Sequence, residues 1–294
     1  MRIGLCTTDI LYPLPAQELF EKIAALGYET VQLAFASVKE CGFTPSAHIE
    51  IPDSVSDEAI EAICAASART GVSIGAVNGT WNMAHPDKSV RDEAIRRMDG
   101  FLKAVSSLGC PIVSLCSGTR SPLHLWHGDA ANQTEEAWED MLDSMKRAAE
   151  LAEKYNILLA IETEAGNIID TPDKARRVMD ETGSKNLKMV LDAANLFHAG
   201  EAAPVNMRPR LDEAMKHFGR DVILAHGKDI RETDGIAFCG TGFGIVDFPY
   251  MISELAKLGY EGDMMLHGIE SESDLAPCRE FMKKCIDQAK ERTA

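Results

Sequence analysis

The chain has 294 residues, 45% of them hydrophobic, enough for a large core of one or two domains. Its 46 acidic residues outnumber 30 basic ones for a net charge of −16, which disfavours nucleic-acid binding because phosphates demand a basic surface. The eight cysteines form no CxxC pair, the opening "MRIGLC" lacks the long apolar region of a signal peptide, and no stretch approaches a membrane span. A cytoplasmic protein with reduced thiols is the expectation.

In chain order, one device recurs: a helical pattern, a glycine, then a β-rich run. It appears at "IAALGYETVQLAF" (Gly27), "SARTGVSIGAV" (Gly71), "AVSSLGCPIVSLC" (Gly109), "MDETGSKNLKMVLD" (Gly183) and "ELAKLGYEGDMML" (Gly259). Glycine just past a helix accepts the left-handed backbone that other residues resist. Ser56, Thr134 and Thr171 are placed to cap helix starts, the last followed by Pro172 at the favoured first position. In the stretch from Thr134 to Asn156, Trp138, Met141, Leu142, Met145, Ala149 and Ala152 fall at helical spacing and predict one buried face.

Strands are expected near residues 3–6, 29–34, 72–77, 111–116, 157–162, 187–192, 221–226 and 262–267, each followed by a helical segment. Alternating strands and helices imply parallel pairing, and eight units are what closes a (β/α)8 barrel. An open doubly wound sheet is the alternative, but no GxGxxG follows the first strand. No linker divides the chain, so residues 1–294 are read as one α/β domain.

The late strands end alike. "LLAIE" stops on Glu162, "KMVLD" on Asp192, "VILAH" on His226 and "DMMLH" on His267. In a barrel these ends point inward at the carboxyl-terminal rim, where active sites of that fold sit. Two carboxylates and two imidazoles suit one divalent cation, Mn²⁺ first, with Co²⁺, Zn²⁺, Fe²⁺ or Mg²⁺ as alternatives. A hydrogen-bonded polar plug without metal is the other arrangement open to them.

The segments "LLAIETEAGNIIDTPDKA", "VLDAANLF", "LAHGKDI" and "GTGFGIVDFPYMISELAKLGYEG" resemble the xylose isomerase-like TIM-barrel superfamily of sugar phosphate isomerases and epimerases. That group includes ketose 3-epimerases, inosose dehydratases and endonuclease IV-type nucleases. The resemblance implies one metal held by Glu162, Asp192, His226 and a fourth residue from the eighth strand. The family pattern has glutamate there; this chain has His267. In the epimerases two glutamates are the acid/base pair, so the change puts a symmetrical mechanism in doubt. His267 is the expected fourth ligand, and Glu270, three residues on, the nearby acid/base alternative.

Around the predicted mouth, Asn195 stands either to bind a sugar hydroxyl or to cap a turn. Lys228 stands to hold an enediolate oxygen or to pair with a carboxylate such as Glu164. Arg120, Trp126 and His127 crowd the loop after the fourth strand, and Trp81 and His85 the loop after the third, as pocket walls. "GTGFG", residues 240–244, reads as a tight loop into a helix capped by Asp247, with phosphate contact as a further option.

The function expected is a metal-dependent sugar or keto-sugar isomerase or epimerase working through an enediolate, with Glu162, His267, Lys228 and Glu270 as catalytic candidates. A lyase acting on an inosose-like ring uses the same enediolate. A non-catalytic sugar-binding protein is the alternative from another class. A small sugar or polyol is the expected partner, with self-association open and neither nucleic acid nor membrane involved.

Overall fold

The structure, a computed structural model, describes residues 1–293. Its barrel strands begin with β1 (Ile3–Cys6), β2 (Thr30–Leu33), β3 (Ser73–Asn78) and β4 (Ile112–Leu115). They continue with β5 (Leu158–Glu162), β6 (Leu187–Asp192) and β7 (Val222–His226). A small antiparallel ribbon of β8 (Asp229–Ile230) and β9 (Phe238–Cys239) precedes the last barrel strand, β10 (Met264–Leu266). The order β1-β10-β7-β6-β5-β4-β3-β2 closes on itself, so the expected (β/α)8 TIM barrel is the architecture.

Parallel neighbours need a crossover, and helices supply it. They are α1 (Ala16–Ala25), α2 (Asp57–Thr70), α3 (Lys88–Ser107), α4 (Glu135–Lys154), α5 (Pro172–Thr182), α6 (Pro204–Phe218), α7 (Phe248–Lys257) and α8 (Leu275–Thr293). The predicted caps form: Ser56, Thr134 and Thr171 accept the backbone N–H groups of Ala59, Ala137 and Lys174. The five glycine stops all adopt positive φ, from 66° at Gly183 to 81° at Gly27 and Gly259. Helix α4 buries Trp138, Met141, Met145, Ala149 and Ala152, while Leu142 at the edge of that stripe is half-buried.

Inside the barrel, Cys6, Ala76, Ala160, Val190, Leu224 and Met265 pack into one apolar plug. Strand side chains alternate with period two, so the next inward residue on each strand lies one layer nearer the mouth. Those residues are Thr8, Asn78, Glu162, Asp192, His226 and His267. An apolar floor with a polar layer above it is what positions the site.

Stagger between neighbouring strands recurs around the barrel: Glu162 pairs with Val190, two residues before Asp192. Asp192 pairs with His226 across β6 and β7, but His226 pairs with Met265 across β7 and β10. His267 therefore shares the inward phase yet sits two residues farther along its strand direction than His226. Two features lay outside the sequence-based expectations: the β8–β9 ribbon and the long segment between β2 and α2. No helix among the described residues is long and apolar enough to cross a membrane.

Candidate active site

A cavity of about 420 Å³ opens above the apolar plug, bordered by Gln32, Glu50, Asn78, Trp126, Glu162, Glu164, His226, Lys228, Phe238 and His267, among others. At its base one ligand atom each from Glu162, Asp192 and His226 falls within 4.8 Å of the others. His226 Nδ1 lies 3.1 Å from Glu162 Oε1 and 3.5 Å from Asp192 Oδ2. The other ring nitrogen, Nε2, meets Gln32 Oε1 at 2.9 Å. Gln32 comes from β2, three places round from the β7 of His226 by way of β1 and β10, so this bond exists only because the sheet closes.

Charge in this base is dense and nearly dry. Asp192 and His226 are almost fully buried, and Lys228 is only 5% exposed. Lys228 Nζ donates to Asn195 Oδ1 at 2.6 Å, stands 3.3 Å from Asp192 Oδ2 and lies 4.0 Å from the centre of the Phe238 ring. Asn195 in turn donates from Nδ2 to Glu162 Oε1 at 2.8 Å. Asn195 thus bridges Lys228 to Glu162, and its backbone N–H also meets Asp192 Oδ1. Of the two roles considered for Lys228, the structure shows the pairing with a barrel carboxylate, which is Asp192, together with Asn195, while Glu164 acts on it only through its charge.

These neighbours set the protonation states. Burial alone would lower the pKa of His226, but Glu162 and Asp192 outweigh it and raise it to about 9. Burial would raise Asp192, yet Lys228 and His226 hold its carboxyl below the usual carboxylate range. Lys228 is likewise opposed by burial and held above its ordinary value by Asp192, Glu164 and Glu162. Glu164 is pushed up to about 7 by burial, against Lys228 and with the help of Glu162 and Asp192.

The donor set fits a divalent cation. Asp192 Oδ2 is buried without a hydrogen-bond partner among the described residues, and two carboxylates converge on one imidazole nitrogen. Gln32 Oε1 accepts from Nε2–H, so Nδ1 is the nitrogen that faces both carboxylates, and a cation taking the place of its proton would find it oriented as a ligand.

The other expected residues divide by position. His267 borders the cavity but stands outside the three-residue group; its Nδ1 lies 3.3 Å from Asp9 Oδ1, and its ring centre is 5.6 Å from that of His226. Glu270 is exposed, 3.5 Å from Arg231, and does not border the cavity. Trp126 and Glu164 do border it.

Four wall residues face elsewhere. Arg120 turns into the protein, its Nη1 on Asp140 at 2.7 Å and on the Ala84 carbonyl at 3.2 Å. His127 is exposed with Nδ1 3.2 Å from the Ser121 hydroxyl, and His85 packs edge-on against His48 at 4.5 Å. Trp81 is wholly buried in the outer core.

The "GTGFG" loop has its own occupant. The N–H groups of Gly242, Gly244 and Val246 all donate to the Asp229 carboxylate at 3.0 Å, which fills the position a phosphate would take. Asp247 caps α7 by accepting from Tyr250 N–H, as expected.

The model of a known family, described as xylose isomerase-like TIM barrel, matches residues 20–287. The chain belongs to that family. Inosose dehydratase of Geobacillus thermodenitrificans is 25% identical over 156 residues, 50% of this chain and 51% of that protein, so the match spans about half the relative's length. Among solved structures, a D-tagatose 3-epimerase-like protein has a TM-score of 0.77 at 18% identity, covering 100% of both chains. A xylose isomerase-like TIM barrel protein from Mycobacterium smegmatis, in complex with magnesium, has a TM-score of 0.75 at 16% identity over 100% of this chain and 98% of that one. At such identities the structural likeness establishes the fold.

Four residues of this xylose isomerase-like barrel that border or support the site were not singled out from sequence: Gln32, Glu50, Asn78 and Asp9. Gln32 carried a faint signal, as a polar residue inside the otherwise apolar strand "TVQL". Asn78 sits at a strand end, as Glu162 does, but a lone amide there carries no distinctive chemistry. Glu50 lies in a loop with no periodicity to place it.

Proposed function

We propose that the protein is a metal-dependent enzyme that enolises a small keto-sugar or keto-polyol, with epimerisation or isomerisation as the outcome. The observation that carries this reading is the convergence of Glu162, Asp192 and His226 at the foot of a cavity that also holds the Lys228 ammonium. Those three residues would hold one divalent cation, Mn²⁺ first among those the donor set suits. When bound, it supplies Lewis acidity to a substrate carbonyl and the adjacent hydroxyl, so that the neighbouring C–H becomes acidic.

Protein groups do the rest. Glu162 borders the cavity and takes the proton from the α-carbon, while Asn195 and His226 keep its Oε1 in place. Lys228, fixed by Asn195 and Asp192, steadies the oxygen that gains charge. Trp126 and Glu164 offer a ring face and a hydrogen-bonding carboxyl to the sugar. In this scheme His267 faces the substrate rather than the metal, because it borders the cavity beside Asp9 and outside the three-residue group. Dehydration of an inosose-like ring is the second reading, favoured by the curated relative named above, and it begins with the same proton abstraction.

The test is exchange. Metal-loaded protein incubated in D₂O with D-tagatose, L-ribulose or an inosose is expected to incorporate deuterium at the α-carbon, detectable by NMR. Binding of a sugar with no exchange and no turnover would instead identify a binding protein.

A further inference from the structure

Beside the metal-ligand triad stands an imidazole whose two nitrogens have different surroundings. His267 borders the cavity with its side chain 34% exposed, and its Nδ1 lies 3.3 Å from Asp9 Oδ1. Its Nε2 has no hydrogen-bond partner among the described residues. The ring centre is 5.6 Å from that of His226, so a sugar seated over the triad passes beside it.

Strand order explains the meeting with Asp9. That residue closes the short turn Thr7–Asp9 after β1, and β1 adjoins β10 in the barrel, with Leu5 paired to Leu266. Neighbouring strand ends thus bring together residues 258 apart in the chain. The Asp9 carboxylate is buried, and among the described residues no lysine or arginine lies within ion-pair distance of it. Its Oδ2 accepts from the Ile269 N–H at 2.9 Å, and its Oδ1 has the His267 ring. Gly268 permits this double hold. Its φ of 74° turns the chain so that the ring before it and the N–H after it reach one carboxylate.

The direction of the hydrogen bond follows. An ionised carboxylate only accepts, and a buried one left short of donors is costly. The hydrogen between the pair therefore sits on Nδ1, which donates to Asp9. In the neutral ring Nε2 is then bare, an acceptor at the edge of the cavity. The nearby Lys228 ammonium can only donate, so the two offer complementary ends to a hydroxyl-rich ligand.

We infer that Asp9 is a positioning residue that fixes His267 as the Nδ1–H tautomer, so that Nε2 accepts a hydrogen bond from a substrate hydroxyl. This rests on the enolising function proposed above. The hydroxyl is one other than that beside the carbonyl, which the cation serves. A substrate carrying hydrogen or a methyl ether at that position leaves Nε2 unpaired and is disfavoured. The acceptor belongs to this chain's departure from the family pattern, which has glutamate where His267 stands.

Two measurements test the inference. Full-length ¹⁵N-labelled protein loaded with diamagnetic Zn²⁺ is read by long-range ¹H–¹⁵N NMR at about pH 8, where imidazole is ordinarily neutral. His267→Gln assigns the signal. Wild type is expected to show a protonated Nδ1 and a bare Nε2, and Asp9→Ala a mixture of tautomers. KM is then measured on metal-loaded protein with D-tagatose, L-ribulose and an inosose. Asp9→Ala and His267→Ala should each raise it about tenfold, the scale of one lost hydrogen bond, with kcat changed far less. The double variant should be no worse than either single one, because both remove the same contact. A circular dichroism spectrum and metal content equal to wild type would show that the variants are folded. An Nε2–H tautomer in wild type overturns the proposal, as does a KM that His267→Ala leaves unchanged. Losses that multiply in the double variant overturn it too, since Asp9 would then act only by anchoring Ile269. A folded, metal-loaded wild type with neither exchange nor turnover on any probe overturns the enolising function and the hydroxyl contact, while the NMR result still decides the Asp9–His267 pair.

Discussion

At the scale of single residues, Gln32 decides which face of His226 the carboxylates see. Its Oε1 accepts from Nε2 at 2.9 Å and leaves Nδ1 toward Glu162 and Asp192. Partners of this kind commonly change metal affinity by about 10–100-fold. Gln32→Leu is therefore expected to weaken metal binding by about that factor, measured by competition against a chelator, with the barrel intact. His267→Ala separates two roles for that imidazole. With Asp9 rather than the triad as its nearest partner, its loss is expected to leave about one metal per chain while raising KM. Loss of metal from His267→Ala would instead show that it is the fourth ligand. Neither Gln32 nor Asp9 stands out along the chain, because each matters through a partner that folding brings from the other end of the sequence.

At the scale of elements, helices α2, α4 and α5 were legible because their signals are local. Caps such as Thr134 act on an N–H three residues away, and Gly71 and Gly183 end helices through their own φ. Surface charge on α3 follows the same short range. Glu93 meets Arg96 and Arg97, three and four residues on, and their guanidinium groups lower its pKa to about 2. A lowered carboxylate pKa means that the stabilisation is present above the ordinary glutamate range, near pH 4.5, and is lost as pH falls through about 2. Because the pairs are solvent-screened, Glu93→Gln should cost no more than about 1 kcal/mol at pH 7. In thermal melts that gap should narrow steadily below about pH 4; a gap that stays constant would mean that the ion pairs are not its source. The β8–β9 ribbon had no comparable signal, since two-residue strands are too short to show a period.

At the scale of the whole molecule, the triad ties three consecutive barrel strands together at their carboxyl ends. A cation bound there favours the closed barrel over the unfolded chain by mass action, about 2.7 kcal/mol at one hundred times its Kd. Adding Mn²⁺ to metal-free protein should therefore raise the melting temperature by several degrees, and EDTA should reverse it. Asp192→Asn is expected to abolish most of that increment, with calorimetry as the check. An increment that persists in Asp192→Asn would place the cation elsewhere. The apolar plug beneath is the counterpart of this site: Met265→Ala, deleting a wholly buried side chain, should cost about 2–5 kcal/mol whether or not metal is present.

The sequence alone was enough for the barrel and for the polar strand ends, because both are written in short-range patterns. Strand alternation of period two sends Glu162, Asp192, His226 and His267 inward however the strands are later arranged. Which of those residues meet was settled by register and closure. His267 turned to Asp9 rather than to the triad, and closure of the sheet brought Gln32 to His226 across 194 residues of chain. The path of the loop after β2 brought Glu50 to Asn78 and to Trp126, 76 residues on. Contacts between distant segments depend on strand stagger and loop path, and neither leaves a periodic trace along the chain.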